Sequence, residues 1–375
     1  MKKKILFIQN WMVCGGVEKV LLSILNRFDY SRFDVELLLI YNIGEFLSDL
    51  PSGLKIRYLY PKFSSVLEKI NYNLLSRFGL DWGYRLTMFF KTANKYDAII
   101  SFAGGTPLRY HTYITSKAFK NLSWMHTDLF TFHHTIGPFF TEIHESKAYN
   151  TMDKIVFVTT EVKKQFEKLY PNIKTPKVVI LNPIEKYLIA QYRKEYKKYL
   201  GDRCFNIVSV GRLSSKEKAF DRLVRLAKRL KDDNYDFHIN IIGEGDHRQE
   251  LENLIIENGV ENNVFLLGFI DSPYEEMSKA DLFVLPSIVE GFALVVAEAF
   301  CLGLPVVSTK TAGPIELINN NEYGLLVEHD DESIYQGVKK MIDDDSLREY
   351  YHKKSLERAE LLDVEKVMSR IYNIL

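Results

Sequence analysis

Phe205-Asn206-Ile207-Val208-Ser209-Val210, then Gly211-Arg212-Leu213, the segment Phe220–Asp232 and a second run at Phe237–Ile242 form one strand–helix–strand unit. In Phe220–Asp232 the apolar positions recur three and four apart, which predicts one buried face of a helix. A strand, a helix and a strand in that order build a parallel sheet. Outward from this unit the pattern repeats. Val264–Leu267, Leu282–Leu285 and Pro305–Ser308 follow it, with a helical period at Arg248–Asn258. Ile5–Gln9, Val35–Tyr41, Ile56–Leu59, Ala98–Phe102 and Ile155–Val158 precede it. The series restarts after Val178-Val179-Ile180-Leu181-Asn182-Pro183, a strand closed by a proline turn. At 375 residues the chain exceeds what one hydrophobic core serves. The expectation is two doubly wound α/β domains, residues 1–183 and 184–356.

Composition is that of a globular protein, 46% apolar and 26% charged. No run nears the roughly 20 apolar residues of a membrane-spanning helix. The opening Met1-Lys2-Lys3-Lys4 is basic, but its apolar run ends at Ile8, too short for a signal peptide; a buried first strand and a cytoplasmic protein are expected. Cys14, Cys204 and Cys301 are far apart and odd in number, which speaks against a disulfide framework or a zinc site. Net charge is zero, yet residues 1–185 hold 24 Lys+Arg against 16 Asp+Glu and the remainder 25 against 33. A basic first half suggests an anionic partner: lipid headgroups, a lipid pyrophosphate or nucleic acid. No nucleic-acid module signature is present, so nucleic acid is not expected. The aromatic stretch Tyr58–Phe90 reads first as two amphipathic core helices. Its other reading is an element lying on a membrane surface.

Three strand-to-helix turns offer backbone N–H groups to an anion: Cys14-Gly15-Gly16-Val17, Pro286–Phe292 before a helix expected at Ala293–Leu302, and Thr309–Pro314 before one expected from Ile315. Arg212 and Lys218 follow a strand end, where open α/β sheets bind ligands, and a fork and a point charge suit a diphosphate. Glu290 and Glu298 are eight apart, about 12 Å in rise along a helix and on nearly one face. Glycosidase carboxylates stand roughly 5–9.5 Å apart, so this spacing suits two contacts to one long ligand better than a hydrolase. The Asp343-Asp344-Asp345 run reads as a solvated face. His133-His134 is no metal pair, since adjacent side chains diverge.

Ser209–Leu213, Lys218-Ala219-Phe220-Asp221, Ile242–Gly245, Leu267-Gly268-Phe269 and Pro286–Val307 occur in this order, and together the chain resembles the retaining glycosyltransferases of family 4. Glu290-Gly291-Phe292 followed by Glu298 matches that family's two-glutamate signature. The likeness is strongest in the second half; in the first it rests on Gly15–Lys19 and Trp124-Met125-His126. The resemblance implies the GT-B fold, two Rossmann-like domains facing each other across a cleft, with a last helix after about Glu357 returning to the first domain. It implies that Arg212 and Lys218 bind the donor diphosphate, Glu298 the ribose and Glu290 the transferred sugar. Gly15 and Gly16 would admit the phosphates, Phe269 and Ile270 would flank the base, Gly291, Phe292 and Ala293 would line the donor, and His126 would sit near the sugar. No cofactor and no metal are implied. The donor expected is a UDP-sugar, with GDP behind it, and the acceptor a saccharide, preferably lipid-linked, in surface polysaccharide assembly. An anionic membrane surface is the further partner expected of the basic half, at the inner face of the cell membrane. Two other functions remain open at this point, a nucleotide-sugar epimerase of the same fold and a non-catalytic partner subunit.

Overall fold

The computed structural model describes residues 2–63, 65–78, 80–93, 95–199, 201, 203–214, 217–362 and 364–375. The chain divides into two compact units, Met1–Pro183 with Glu365–Leu375, and Ile184–Val364.

The first unit holds β1 (Lys3–Gln9), β2 (Phe33–Tyr41), β3 (Lys55–Tyr60), β4 (Tyr96–Ser101), β5 (Ala118–Met125), β6 (Lys154–Phe157) and β7 (Lys177–Val179). They form one parallel sheet in the order β3-β2-β1-β4-β5-β6-β7. Helices on both faces bury its strands, so Ile5–Ile8 of β1 and Ile99–Ile100 of β4 are inaccessible. The order reverses direction between β1 and β4. At such a switch point the loops leave on opposite faces and open a crevice beyond the strands' C-terminal ends.

β5 was not among the expected strands. Lys120, Asn121 and Ser123 interrupt its apolar run, yet Asn121 and Ser123 are buried. Asn121 has partners that offset its desolvation: its side-chain oxygen lies 3.0 Å from His111 Nε2, and its backbone N–H donates to Asp153 at 2.7 Å.

The aromatic stretch forms two amphipathic helices, Val66–Phe78 and Trp82–Lys91, which pack one face on the core and leave apolar residues exposed on the other. Among the described residues the inward face is narrow: Asn71 and Leu75 from the first, Gly83, Tyr84 and Met88 from the second. Gly83 makes this approach possible, since a Cβ there would lie 2.1 Å from Asn71 Oδ1. Trp82, Leu86, Phe89 and Phe90 are exposed. The last helix, Val364–Ile374, belongs with this unit. Tyr372 stacks on Phe33 at 5.3 Å and donates to the Arg27 carbonyl at 3.1 Å.

The second unit holds β8 (Phe205–Val210), β9 (Phe237–Ile242), β10 (Val264–Gly268), β11 (Leu282–Leu285), β12 (Val306–Thr309) and β13 (Leu325–Val327). The sheet is again parallel, in the order β10-β9-β8-β11-β12-β13, with its switch point between β8 and β11. Of the acidic run, Asp343 and Asp344 are exposed as expected, Asp344 capping the helix Asp345–Leu361, whereas Asp345 is half-buried and accepts from Tyr196, Arg348 and the Tyr199 N–H.

Candidate functional site

In the second unit the loops leaving β8, β9 and β10 are locked to one another. Gly211 N–H donates to Ile242, Gly243 N–H to Gly268, and Leu213 N–H to Glu244. Gly243 sits at φ +144, and a Cβ there would fall 1.9 Å from the Gly211 carbonyl oxygen, so glycine is required for this contact. Arg212 projects from this platform, exposed, with no ion pair among the described residues. Ser215 and Lys216 of the expected solvated loop lie outside the described residues. Ala219, at the loop's end, is buried with φ +50, a conformation that favours glycine.

Lys218 runs back over Gly211 and ends 2.6 Å from Glu290 Oε1. The two side chains retain 18% and 10% exposure, enough desolvation to make the pairing matter. Ser287 donates to the same carboxylate oxygen at 2.7 Å. The Glu290 backbone carbonyl accepts from Gly313 N–H at 3.2 Å, Ile288 N–H donates to the Glu217 carbonyl at 2.7 Å, and Arg222 donates to Pro286 at 2.9 Å. Glu290 therefore stands where the loops after β8, β11 and β12 meet, at the C-terminal edge of the switch point.

Glu290 and Glu298 do not share a helix. The helix is Leu294–Leu302, and Ala293 before it takes a left-handed conformation at φ +59, so the expected eight-residue helical spacing does not apply. Gly291, Phe292 and Ala293 are buried in the bend, and no side chain caps the helix start. Glu298, 4% exposed, lies one turn along the helix and accepts from Tyr274 at 3.2 Å. Tyr274 opens the short helix that follows Phe269 and Ile270; Phe269 is exposed and Ile270 half-buried. The helix after β12 is Ala312–Ile318, three residues earlier than expected, with Pro314 still in its first turn.

In the first unit Gly15 caps the helix Gly16–Arg27 in an extended conformation with no side-chain cap. His126 follows β5, its ring 4.7 Å from Phe102. Burial brings its imidazole down to about 3, so it is neutral at pH 7, and Nε2 is buried without a hydrogen-bond partner among the described residues. His133 bonds Glu145 at 2.7 Å rather than forming a pair with His134. Among the described residues no three His, Cys, Asp or Glu side chains gather where they could hold a metal ion.

Three residues were not singled out from sequence: Ser287, Tyr274 and Thr311, whose buried hydroxyl has no partner among the described residues. Ser287 and Thr311 lie in two of the strand-to-helix turns that the sequence offers to an anion, but nothing set them apart there; Tyr274 gave no signal.

Residues 191–358 match the family described as "Glycosyl transferases group 1". The chain is 42% identical over 163 residues to an N-acetylgalactosamine-N,N'-diacetylbacillosaminyl-diphospho-undecaprenol 4-alpha-N-acetylgalactosaminyltransferase of Campylobacter jejuni, across 43% of this chain and 44% of that protein. The alignment thus spans less than half of that relative's length. An uncharacterized glycosyltransferase of Haemophilus influenzae is 26% identical over 100% of both chains. The structure of Anabaena HepE in complex with UDP and glucose superposes with a TM-score of 0.75 at 18% identity, covering 99% of this chain and 98% of that one. The fold is GT-B, and these matches together support a glycosyltransferase.

Proposed function

We propose that this chain is a retaining glycosyltransferase of family 4 that moves a sugar from a UDP-sugar to a lipid-linked saccharide during surface polysaccharide assembly, at the inner face of a membrane containing anionic lipid. The observation that carries the reading is the Lys218–Glu290 pair, held at 2.6 Å where three strand-end loops converge beside an uncapped helix. A desolvated ammonium already neutralised by a carboxylate is ready to be drawn to a diphosphate, and Arg212 offers a second cation in the loop after β8. Support for the nucleotide comes from HepE, solved with UDP, and support for the acceptor class from the diphospho-undecaprenol in the C. jejuni enzyme's name.

In this reading Arg212, Lys218 and the helix N-termini carry the diphosphate, Glu298 the ribose, and Phe269 with Ile270 the base. The bond from the anomeric carbon to the diphosphate oxygen breaks. The acceptor oxygen bonds to that carbon on the same face, and its proton passes to the departing phosphate oxygen. Cations aimed at the leaving group stabilise the charge that develops there. The reaction runs without a metal.

The test is transfer from a panel of radiolabelled UDP- and GDP-sugars to extracted lipid-linked saccharides, with anomeric analysis of the product. Transfer from one UDP-sugar with retained configuration is expected. Epimerised donor without acceptor, or an inverted product, would overturn the proposal.

A further inference from the structure

The basic excess of the first half is confined to one segment. Residues 55–120 hold 11 Lys+Arg against 3 Asp+Glu, while the rest of residues 1–185 hold 13 against 13. This segment also carries the two helices whose apolar residues face outward. On Trp82–Lys91, Tyr84 and Met88 turn inward, but Trp82, Leu86 and Phe89, spaced four and three, make a second apolar stripe with Phe90 on the solvent side. Their exposures run from 48% at Leu86 to 73% at Phe90. On Val66–Phe78, Val66, Leu67 and Ile70 are exposed in the same way. Trp82, Leu86, Phe89 and Lys117 also line an open groove of about 640 Å³.

Soluble monomers seldom leave apolar stripes of this kind in water. Here they are interleaved with Lys62, Lys69, Arg77, Arg85 and Lys91. The three acids of the segment are engaged: Asp81 with Arg85 at 2.9 Å, Asp97 with the Lys4 N–H at 2.7 Å, and Glu68 with Tyr41. Aromatic and aliphatic tips surrounded by long cationic side chains match the boundary between lipid headgroups and acyl chains. A second copy meeting this face with its own would set like charge against like, and a nucleic acid would leave Val66, Leu67 and Ile70 wet.

We propose that the outer face of helices Val66–Phe78 and Trp82–Lys91 docks on a bilayer containing anionic lipid. The apolar residues enter the headgroup boundary and the lysines and arginines meet lipid phosphate. The proposal deepens the membrane part of the function proposed above, but its chemistry needs no donor or acceptor.

The experiment is flotation of the full chain with phosphatidylglycerol–phosphatidylethanolamine vesicles and, separately, with phosphatidylcholine vesicles. The protein should float with the first only, and high salt should release it. Lys69→Glu and Lys91→Glu should each lower the bound fraction's partition constant by at least roughly fivefold. Phe89→Ser/Phe90→Ser, at exposed positions, should abolish flotation while thermal unfolding and transfer to a water-soluble acceptor stay at wild-type values. Equal binding to both vesicles, no flotation of the wild type, flotation of the double serine variant, or a dimer that this variant dissolves would each overturn the proposal. Because flotation is read without turnover, a failed transfer assay leaves this result standing, and the reverse holds.

Discussion

The Lys218–Glu290 pair leads to a prediction of unusual sign. At 2.6 Å and an effective dielectric near 20 the gross attraction is about 6 kcal/mol, most of it offset by desolvation. When a diphosphate arrives, the ammonium is divided between Glu290 and phosphate, and the carboxylate itself repels the ligand. Glu290→Gln keeps an oxygen for Ser287 to donate to but removes the charge. Free UDP then gains an undivided ammonium, roughly 1–2 kcal/mol, or about five- to thirtyfold tighter binding. Turnover with the donor should nonetheless fall, by roughly a hundredfold, because Glu290's proposed partner is the transferred sugar.

Glu298→Gln should move UDP affinity the other way. Its carboxylate is 4% exposed and accepts from Tyr274, so a ribose hydroxyl donating to it makes a charge-assisted bond of about 1.5–3 kcal/mol, present in ground and transition states alike. Calorimetry with UDP on both variants at low salt is the assay. Weakened UDP binding in Glu290→Gln would refute the divided-ammonium argument. Wild-type UDP binding in both variants with turnover lost in both would make the glutamates a catalytic pair.

Arg212→Ala, at an exposed position, should leave thermal stability unchanged yet weaken UDP binding by about 1.5–3 kcal/mol; wild-type kinetics would remove Arg212 from the site. Transfer should persist in EDTA, because Arg212, Lys218 and helix N-termini meet the phosphate charge in the proposed site; a titratable Mn²⁺ or Mg²⁺ requirement would contradict this. Burial brings His126 down to about 3 and His111 to about 4, against an ordinary 6.5, so the unfolded chain binds more protons through the window between. Their stabilisation is complete above about pH 6.5 and falls as pH drops, by roughly 2 kcal/mol each at pH 5; an unfolding midpoint in urea that does not move between pH 7.5 and 5 would refute it.

The strands that could be read from sequence are those whose apolar runs are unbroken, such as β11, or broken only by single polar residues between β-branched and aromatic ones, as in β8 and β9, because a doubly covered parallel sheet favours apolar side chains on both faces. β5 escaped notice because Asn121 and Ser123 look like surface residues, and the partners that keep Asn121 buried, His111 and Asp153, come from other elements. In the same way, Glu290 and Glu298 were visible as carboxylates in an apolar context, but the bend at Ala293 was not, since alanine gives no sign of a left-handed backbone. The contact between Lys218 and Glu290 joins residues 72 apart, and only the switch point of the sheet brings them together.

Periodicity failed most instructively at Trp82–Lys91. An apolar stripe at helical spacing states that a helix has a preferred side, and it is silent on whether that side meets protein or lipid. This helix has two such stripes, and Tyr84 and Met88 use one of them for the sheet. The information that separates the stripes lies in the charges. A core-facing stripe needs its flanking cations balanced or solvated away from it. Here the 8 surplus positive charges of residues 1–185 fall within the sequence window 55–120, and Lys69, Arg77, Arg85 and Lys91 of that window lie on the two helices themselves. Local charge balance, summed over the same window as the periodicity, marks the outward stripe as a basic apolar surface, which is the feature on which the proposed docking rests.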